Sequence, residues 1–268
     1  MALARYSSGT GDYSHKSKQN VRFIIDLDGP VLGVEPQYFR AYTETATAAG
    51  YRPAAREAFW RVIREGSQFD RLASGAKPDE VRRFRTAFQE ALESDESIGE
   101  CDAQPGVGAV LARLKRAGSL VLVTMGTNRG ARQRLLDSLD LAVHFMTMRC
   151  LAAEPARRVA QLRDLAEGDR RVVVACASEP LARAAHDAGM VPVAVADGPV
   201  TDGRLTRAGA QLVYPNLGAL ADEVESGGER LIHAGLLPPE HPSQGNPFLE
   251  PGRSLESGRS RYRGGRRR

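Results

Sequence analysis

The chain has 268 residues, 42% of them hydrophobic, enough for one large domain or two small ones with a sizeable core. Three widely spaced cysteines (Cys101, Cys150, Cys176) without a CxxC pair exclude a disulfide scaffold and a zinc ribbon, and no run of about 18 apolar residues spans a bilayer. The +4 net charge belongs to the ends: residues 251–268 hold seven Arg against one Glu, and residues 1–20 hold Arg5, Lys16 and Lys18 against Asp12, which leaves −4 for residues 21–250. With a polar start that lacks a secretory signal, this predicts a soluble cytoplasmic protein without a membrane segment.

In chain order, residues 1–20 show no periodicity and read as a disordered tail. Residues 21–25 form a short apolar run, as do 120–124, 172–176 and 191–195; continuous runs of this kind fit parallel strands buried on both faces. Residues 144–148 and 212–214 are weaker strand candidates. Residues 33–100 hold no strand candidate but three helical stretches, 36–49, 53–65 and 78–93, each opened by a proline. More than half of the aromatic residues lie here: Tyr38, Phe39, Tyr42, Tyr51, Phe59, Trp60, Phe69, Phe84 and Phe88. They suit either a small helical core or an aromatic-lined pocket.

Beyond residue 100, helical patterns alternate with the strand candidates. Val107, Val110, Leu111 and Leu114 share one face and stop at Gly118; Pro155 opens another helix, with Val159, Leu162 and Ala166 before Gly168; 181–188 is a third, ended by Gly189. The fold class expected is α/β: a Rossmann-like parallel sheet over 21–32 and 101–226, with a helical cap at 33–100 inserted after the first strand. Residues 237–268 are Pro- and Gly-rich, then Arg-rich, and read as a second disordered tail.

The string Val21-Arg-Phe-Ile-Ile-Asp26-Leu-Asp28-Gly29-Pro30-Val-Leu32 ends a strand in two carboxylates two residues apart. In open α/β sheets ligands bind outside the carboxyl ends of strands. One carboxylate there could attack an electrophile while the other moves a proton. The plain alternative is a turn whose Asp and Gly satisfy backbone groups. The string resembles the first motif of the haloacid dehalogenase-like hydrolases. The likeness continues through Gln104-Pro-Gly-Val-Gly to Thr124, Ala184-Ala-His-Asp-Ala-Gly-Met190, and Arg207 to Leu220, nearest the phosphoglycolate phosphatase and β-phosphoglucomutase branch.

The resemblance implies Asp26 as nucleophile and Asp28 as general acid/base, both holding Mg²⁺. It implies that Thr124 binds phosphate, with Gly126 and Asn128 beside it in the substrate site, and that the substrate is a small phosphorylated metabolite. Two motifs depart from the family. Where a lysine before proline is expected stands Glu154-Pro155, and no lysine follows Lys115; Arg149, Arg157 and Arg158 are candidate substitutes or plain helix residues. Where two metal-binding acids are expected stand Ala177 and Leu181, leaving Glu179 as a candidate displaced ligand or a first-turn helix residue. Together these departures imply weak Mg²⁺ binding and phosphatase activity that is absent or strongly reduced, as in a binding or regulatory pseudoenzyme. An active Mg²⁺-dependent phosphatase is the alternative.

Other chemistry has little support. The histidines (His15, His144, His186, His233, His241) are scattered, and no GxxxxGK or GxSxG string occurs. Cys176 is either a strand-end nucleophile or a buried small hydrophobe. The tail 251–268 interleaves Arg with Gly and a tyrosine, a composition that suits nucleic acid or another polyanion, or a solubilising terminus.

Overall fold

A computed structural model describes residues 21–66, 76–167 and 171–237. The tail expected at 1–20, Phe69, Gly168 and the Arg-rich residues 251–268 lie outside the described residues.

The chain enters through β1 (Val21–Asp26) and the two-residue β2 (Leu32–Gly33). Helices α1 (Glu35–Ala48), α2 (Arg56–Glu65), α3 (Pro78–Leu92) and α4 (Asp95–Ile98) follow, and β3 (Asp102–Ala103) pairs antiparallel with β2 at the neck. Then come α5 (Val107–Ala117), β4 (Ser119–Thr124), α6 (Arg129–Ser138), a 3-10 turn (Ala142–His144) and β5 (Thr147–Cys150). The chain continues through α7 (Pro155–Ala166), β6 (Arg171–Cys176), α8 (Glu179–Asp187), β7 (Pro192–Val195), α9 (Asp202–Arg207) and β8 (Leu212–Tyr214). Helices α10 (Leu217–Glu225) and α11 (Glu229–His233) close it.

Six strands form one parallel sheet in the order β5-β4-β1-β6-β7-β8. This is the expected α/β Rossmann-like architecture. Alternate residues of β1 feed opposite faces: Phe23 and Ile25 pack with Leu111, Leu114 and Leu220, while Ile24 packs with Leu162, Leu181 and Ala185. Both faces are thus covered by helices, which explains why these strands read as unbroken apolar runs.

The strand expected at 144–148 lies three residues later, at Thr147–Cys150, because His144 closes the 3-10 turn. The folded part also runs past residue 226: Leu231, Leu236 and Leu237 are buried against the face formed by α10, so Leu237 belongs to the core and not to a tail.

The aromatic residues of the helical insertion make a core. Tyr42 stacks on Phe59 at 4.4 Å between ring centroids, and Phe84 and Phe88 close around them. The order of strands reverses at β1, whose successor β4 lies on one side and β6 on the other. The crevice at such a reversal lies at the carboxyl end of β1, where Asp26 stands.

Candidate active site

Asp26 is the last residue of β1 and only 1% exposed. Its Oδ2 accepts the Ala177 N–H at 3.2 Å and the Ser178 hydroxyl at 2.7 Å, both from the turn after β6. Burial first, and the charge of Asp28 second, push its pKa up to about 7 against the pull of these hydrogen bonds. Asp28 follows in the turn, and its Oδ2 accepts the Thr124 hydroxyl at 2.9 Å. Burial raises its pKa too, while the Arg132 guanidinium opposes the rise.

The turn between β1 and β2 is held tightly. Gly29 has φ +115°, and a Cβ there would meet the Gly198 Cα at 2.6 Å and the Ala177 Cβ at 3.0 Å. Gln104 Nε2 donates to the Gly29 carbonyl at 2.7 Å, which ties the returning linker to the carboxylate turn. Thr124, the last residue of β4, is fully buried, and its Oγ1 also accepts the Gly126 N–H at 2.9 Å. Asp26, Asp28 and Thr124 are therefore brought together at one strand edge.

Gly126 and Asn128 lie beside them but are engaged by the protein itself. Asn128 caps α6 by accepting the Ala131 N–H at 3.1 Å. Its own N–H donates to Glu93 Oε2 at 2.7 Å and its Nδ2 to the Glu93 carbonyl at 2.9 Å. Gly126 lies under the guanidinium of Arg132: a Cβ on it would stand 2.1 Å from Arg132 Cζ.

Arg132, Glu93 and Ser178 escaped the sequence reading. Arg132 donates to Glu93 through both Nη atoms, at 2.8 and 3.1 Å, with its side chain 4% exposed and that of Glu93 27%. Burial works against the Arg132 charge, but Asp28 and Glu93 outweigh it and hold its pKa above the usual value. Glu93, just past α3, is held below the usual carboxylate range: Arg132 and the amides of Asn128 and Thr127 overcome its burial. One signal for Arg132 was available, since a helix places it four residues from the Asn128 cap, on the same face.

The departures from the family resolve into structural roles. Glu154 is exposed and caps α7, accepting the Ala156 and Arg157 N–H groups at 3.0 and 2.8 Å, so it does not point a negative charge at the carboxylate pair. Arg158 is buried and donates only to carbonyls, those of Ala152, Ala153 and Pro180. Arg149 and Arg157 are exposed, and neither figures among the charges acting on Asp26 or Asp28. Glu179, the candidate displaced metal ligand, is paired through both oxygens with Arg204 at 3.1 and 3.0 Å. Cys176 is fully buried with its thiol pKa far raised by burial, which suits packing and not attack.

Mg²⁺ takes about six oxygen ligands supported by carboxylates. Here two carboxylates converge, and one oxygen of each already accepts a protein donor. Ala177, where a third acid is expected, is fully buried beside Gly29 and Gly198 and brings no oxygen side chain to the pair. Among the described residues no group of three His, Cys, Asp or Glu could hold a metal ion. The donor set does not fit the ion. Nor, among the described residues, is any helix long and apolar enough to cross a membrane.

Solved structures share this fold. A haloacid dehalogenase-like family protein from Streptococcus pneumoniae superposes with a TM-score of 0.60 at 14% identity, over 76% of this chain and 96% of its own. A predicted phosphoglycolate phosphatase from Haemophilus somnus 129pt gives 0.58 at 15% identity, over 78% and 99%. CbbY from Rhodobacter sphaeroides, in complex with phosphate, gives 0.52 at 23% identity, over 74% and 95%. No curated protein matches the chain. The model of the haloacid dehalogenase-like hydrolase family matches residues 22–173, more than half of the chain. With the switch-point carboxylates, the parallel sheet and the helices inserted after β1, the chain belongs to the haloacid dehalogenase-like hydrolases.

Proposed function

We propose that the pocket over the carboxyl ends of β1 and β4 receives a small phosphorylated metabolite, and that Mg²⁺-dependent hydrolysis there is absent or severely reduced. The observation that carries this reading is the environment of Asp26. A nucleophilic carboxylate needs a free anionic oxygen and a cation to offset the incoming phosphate. Asp26 has Oδ2 engaged by Ala177 and Ser178, and a pKa of about 7 leaves roughly half of it neutral at neutral pH.

A phosphate dianion reaching Asp26 and Asp28 meets no lysine, since none follows Lys115 and Glu154 caps its own helix. Losing one preorganised charge costs about 10²–10³ in rate. The losses are not additive, so the deficit is put at roughly 10⁴-fold or more. What remains suits binding: Arg132 supplies one buried cation, with its guanidinium lying over Gly126 beside the carboxylate turn.

The test is turnover across small phosphate esters with Mg²⁺, wild type against Asp26→Asn. No difference above background is expected. A rate of about 1 s⁻¹ or more, lost in Asp26→Asn, overturns the reading in favour of an active phosphatase. That competing reading draws on the 2.9 Å Thr124–Asp28 hydrogen bond, which keeps the general acid/base beside the phosphate-binding threonine. A polyanion partner for residues 251–268 is a separate proposal, tested by salt-dependent nucleic-acid binding that disappears when those residues are deleted.

A further inference from the structure

The Asp26–Asp28 pair is the place where members of this family generally use Mg²⁺, yet its surroundings fit no such ion. Two carboxylates close enough for the charge of Asp28 to act on Asp26 still need compensation. For Asp26, Ala177 and Ser178 provide hydrogen bonds but no charge. The chain supplies charge from another element, α6, through Arg132.

Three observations place it. The guanidinium lies directly over Gly126, where any Cβ would stand 2.1 Å from Cζ. The Gly126 N–H binds Thr124 Oγ1 at 2.9 Å, and that hydroxyl binds Asp28 at 2.9 Å, so the residue under the guanidinium is linked to Asp28 through Thr124. Glu93 grips it from the other side through both Nη atoms while accepting the Thr127 and Asn128 amides at 2.8 and 2.7 Å. A buried cation held so firmly has a fixed position, unlike a solvated arginine.

We propose that Arg132 is the resident counter-ion of Asp28, clamped over Gly126 by Glu93, and that it keeps divalent cations out of the site. A divalent ion entering beside Asp28 would meet the charge of a guanidinium that Glu93 holds in place.

The experiment is a Mn²⁺ titration of the full chain, followed by calorimetry and by paramagnetic broadening, on wild type, Arg132→Met and Gly126→Ala. Gly126→Ala leaves Arg132 in the sequence but pushes its guanidinium off the site. Wild type is expected to show no saturable binding below about 1 mM. Both variants are expected to bind at least about tenfold more tightly than wild type, and adding Asp28→Asn to either should remove the gain. Saturable sub-millimolar binding by wild type that Asp28→Asn abolishes overturns the proposal, and so does equal affinity in all three proteins. Should Arg132→Met fail to fold, the wild-type titration and Gly126→Ala decide by themselves. Turnover is read separately, so a wild type that binds Mn²⁺ without hydrolysis overturns this inference and leaves the functional reading standing.

Discussion

The carboxyl edges of β1 and β4 and those of β5 and β6 border the same crevice but have been treated differently. At the first, Asp26, Asp28 and Thr124 keep polar groups converging within hydrogen-bond reach. At the second, Cys176 and Ala177 are fully buried, Glu154 turns to its own helix and Glu179 turns to Arg204. In the second, Glu154 serves as a helix cap and Glu179 as a docking group. Arg204 also donates to the Ile63 and Arg64 carbonyls at the end of α2, so Glu179 now serves the contact between the helical insertion and the sheet. A fold keeps its strand ends through packing alone, while a site keeps its chemistry only if each polar group still faces inward.

Restoring an acid to the second half is the harshest challenge to this contrast. Ala177→Asp buries a further carboxylate beside Asp26, and a cost of about 3–5 kcal/mol is expected in urea denaturation. A stable variant with Mg²⁺-dependent turnover would show that the second half is still open.

Asp26 gives a pH signature. Its folded pKa of about 7 lies above the ordinary aspartate value of about 3.9, so the folded state binds the proton more tightly. Below the unfolded value both states are protonated and ionisation costs nothing; between the two values the penalty grows with pH, and above the folded value it is complete. Asp26→Asn should therefore gain stability over wild type as pH rises from 4 to 7, reaching about 2–4 kcal/mol, with a plateau above. Parallel stability curves for the two proteins would contradict this environment for Asp26.

Removing one partner of the Glu93–Arg132 pair is next. Glu93→Gln leaves a buried guanidinium with a weaker acceptor, and a loss of about 1–3 kcal/mol is expected in chemical denaturation, since Glu93 is itself partly exposed. An unchanged midpoint would reduce the pair to a surface contact. The smallest effect belongs to Glu179→Ala, about 1 kcal/mol or less, because that pair is partly solvated. It is expected to appear as faster amide exchange at Thr201, whose N–H bonds the Arg64 carbonyl, with metal binding unchanged.

Residues 21–25, 120–124, 172–176 and 191–195 are legible as strands because parallel strands buried on both faces leave unbroken apolar runs, and each lies within a residue or two of its observed bounds. The segment at 144–148 is less legible, since β5 is an edge strand with an exposed Arg149 and a short burial pattern. Asp26 and Asp28 could be picked out because two carboxylates ending an apolar strand are costly without a task or a partner. Glu93 could not, since nothing in a helix-terminal glutamate reveals that it reaches α6.

The sequence by itself determined the alternation of strands and helices, the position of the helical insertion, and the carboxylate pair at the end of β1. These are local properties, written in periodicity, residue type and spacing. Only the tertiary structure decided that Glu154 caps α7, that Glu179 belongs to Arg204, and that Ala177 lies beside two glycines. The same holds for the pairing of Arg132 with Glu93, residues from separate elements that meet because the residue just past α3 bonds the start of α6. Charge compensation acts through space, so the partner of a buried charge is fixed by which surfaces pack together and not by order along the chain.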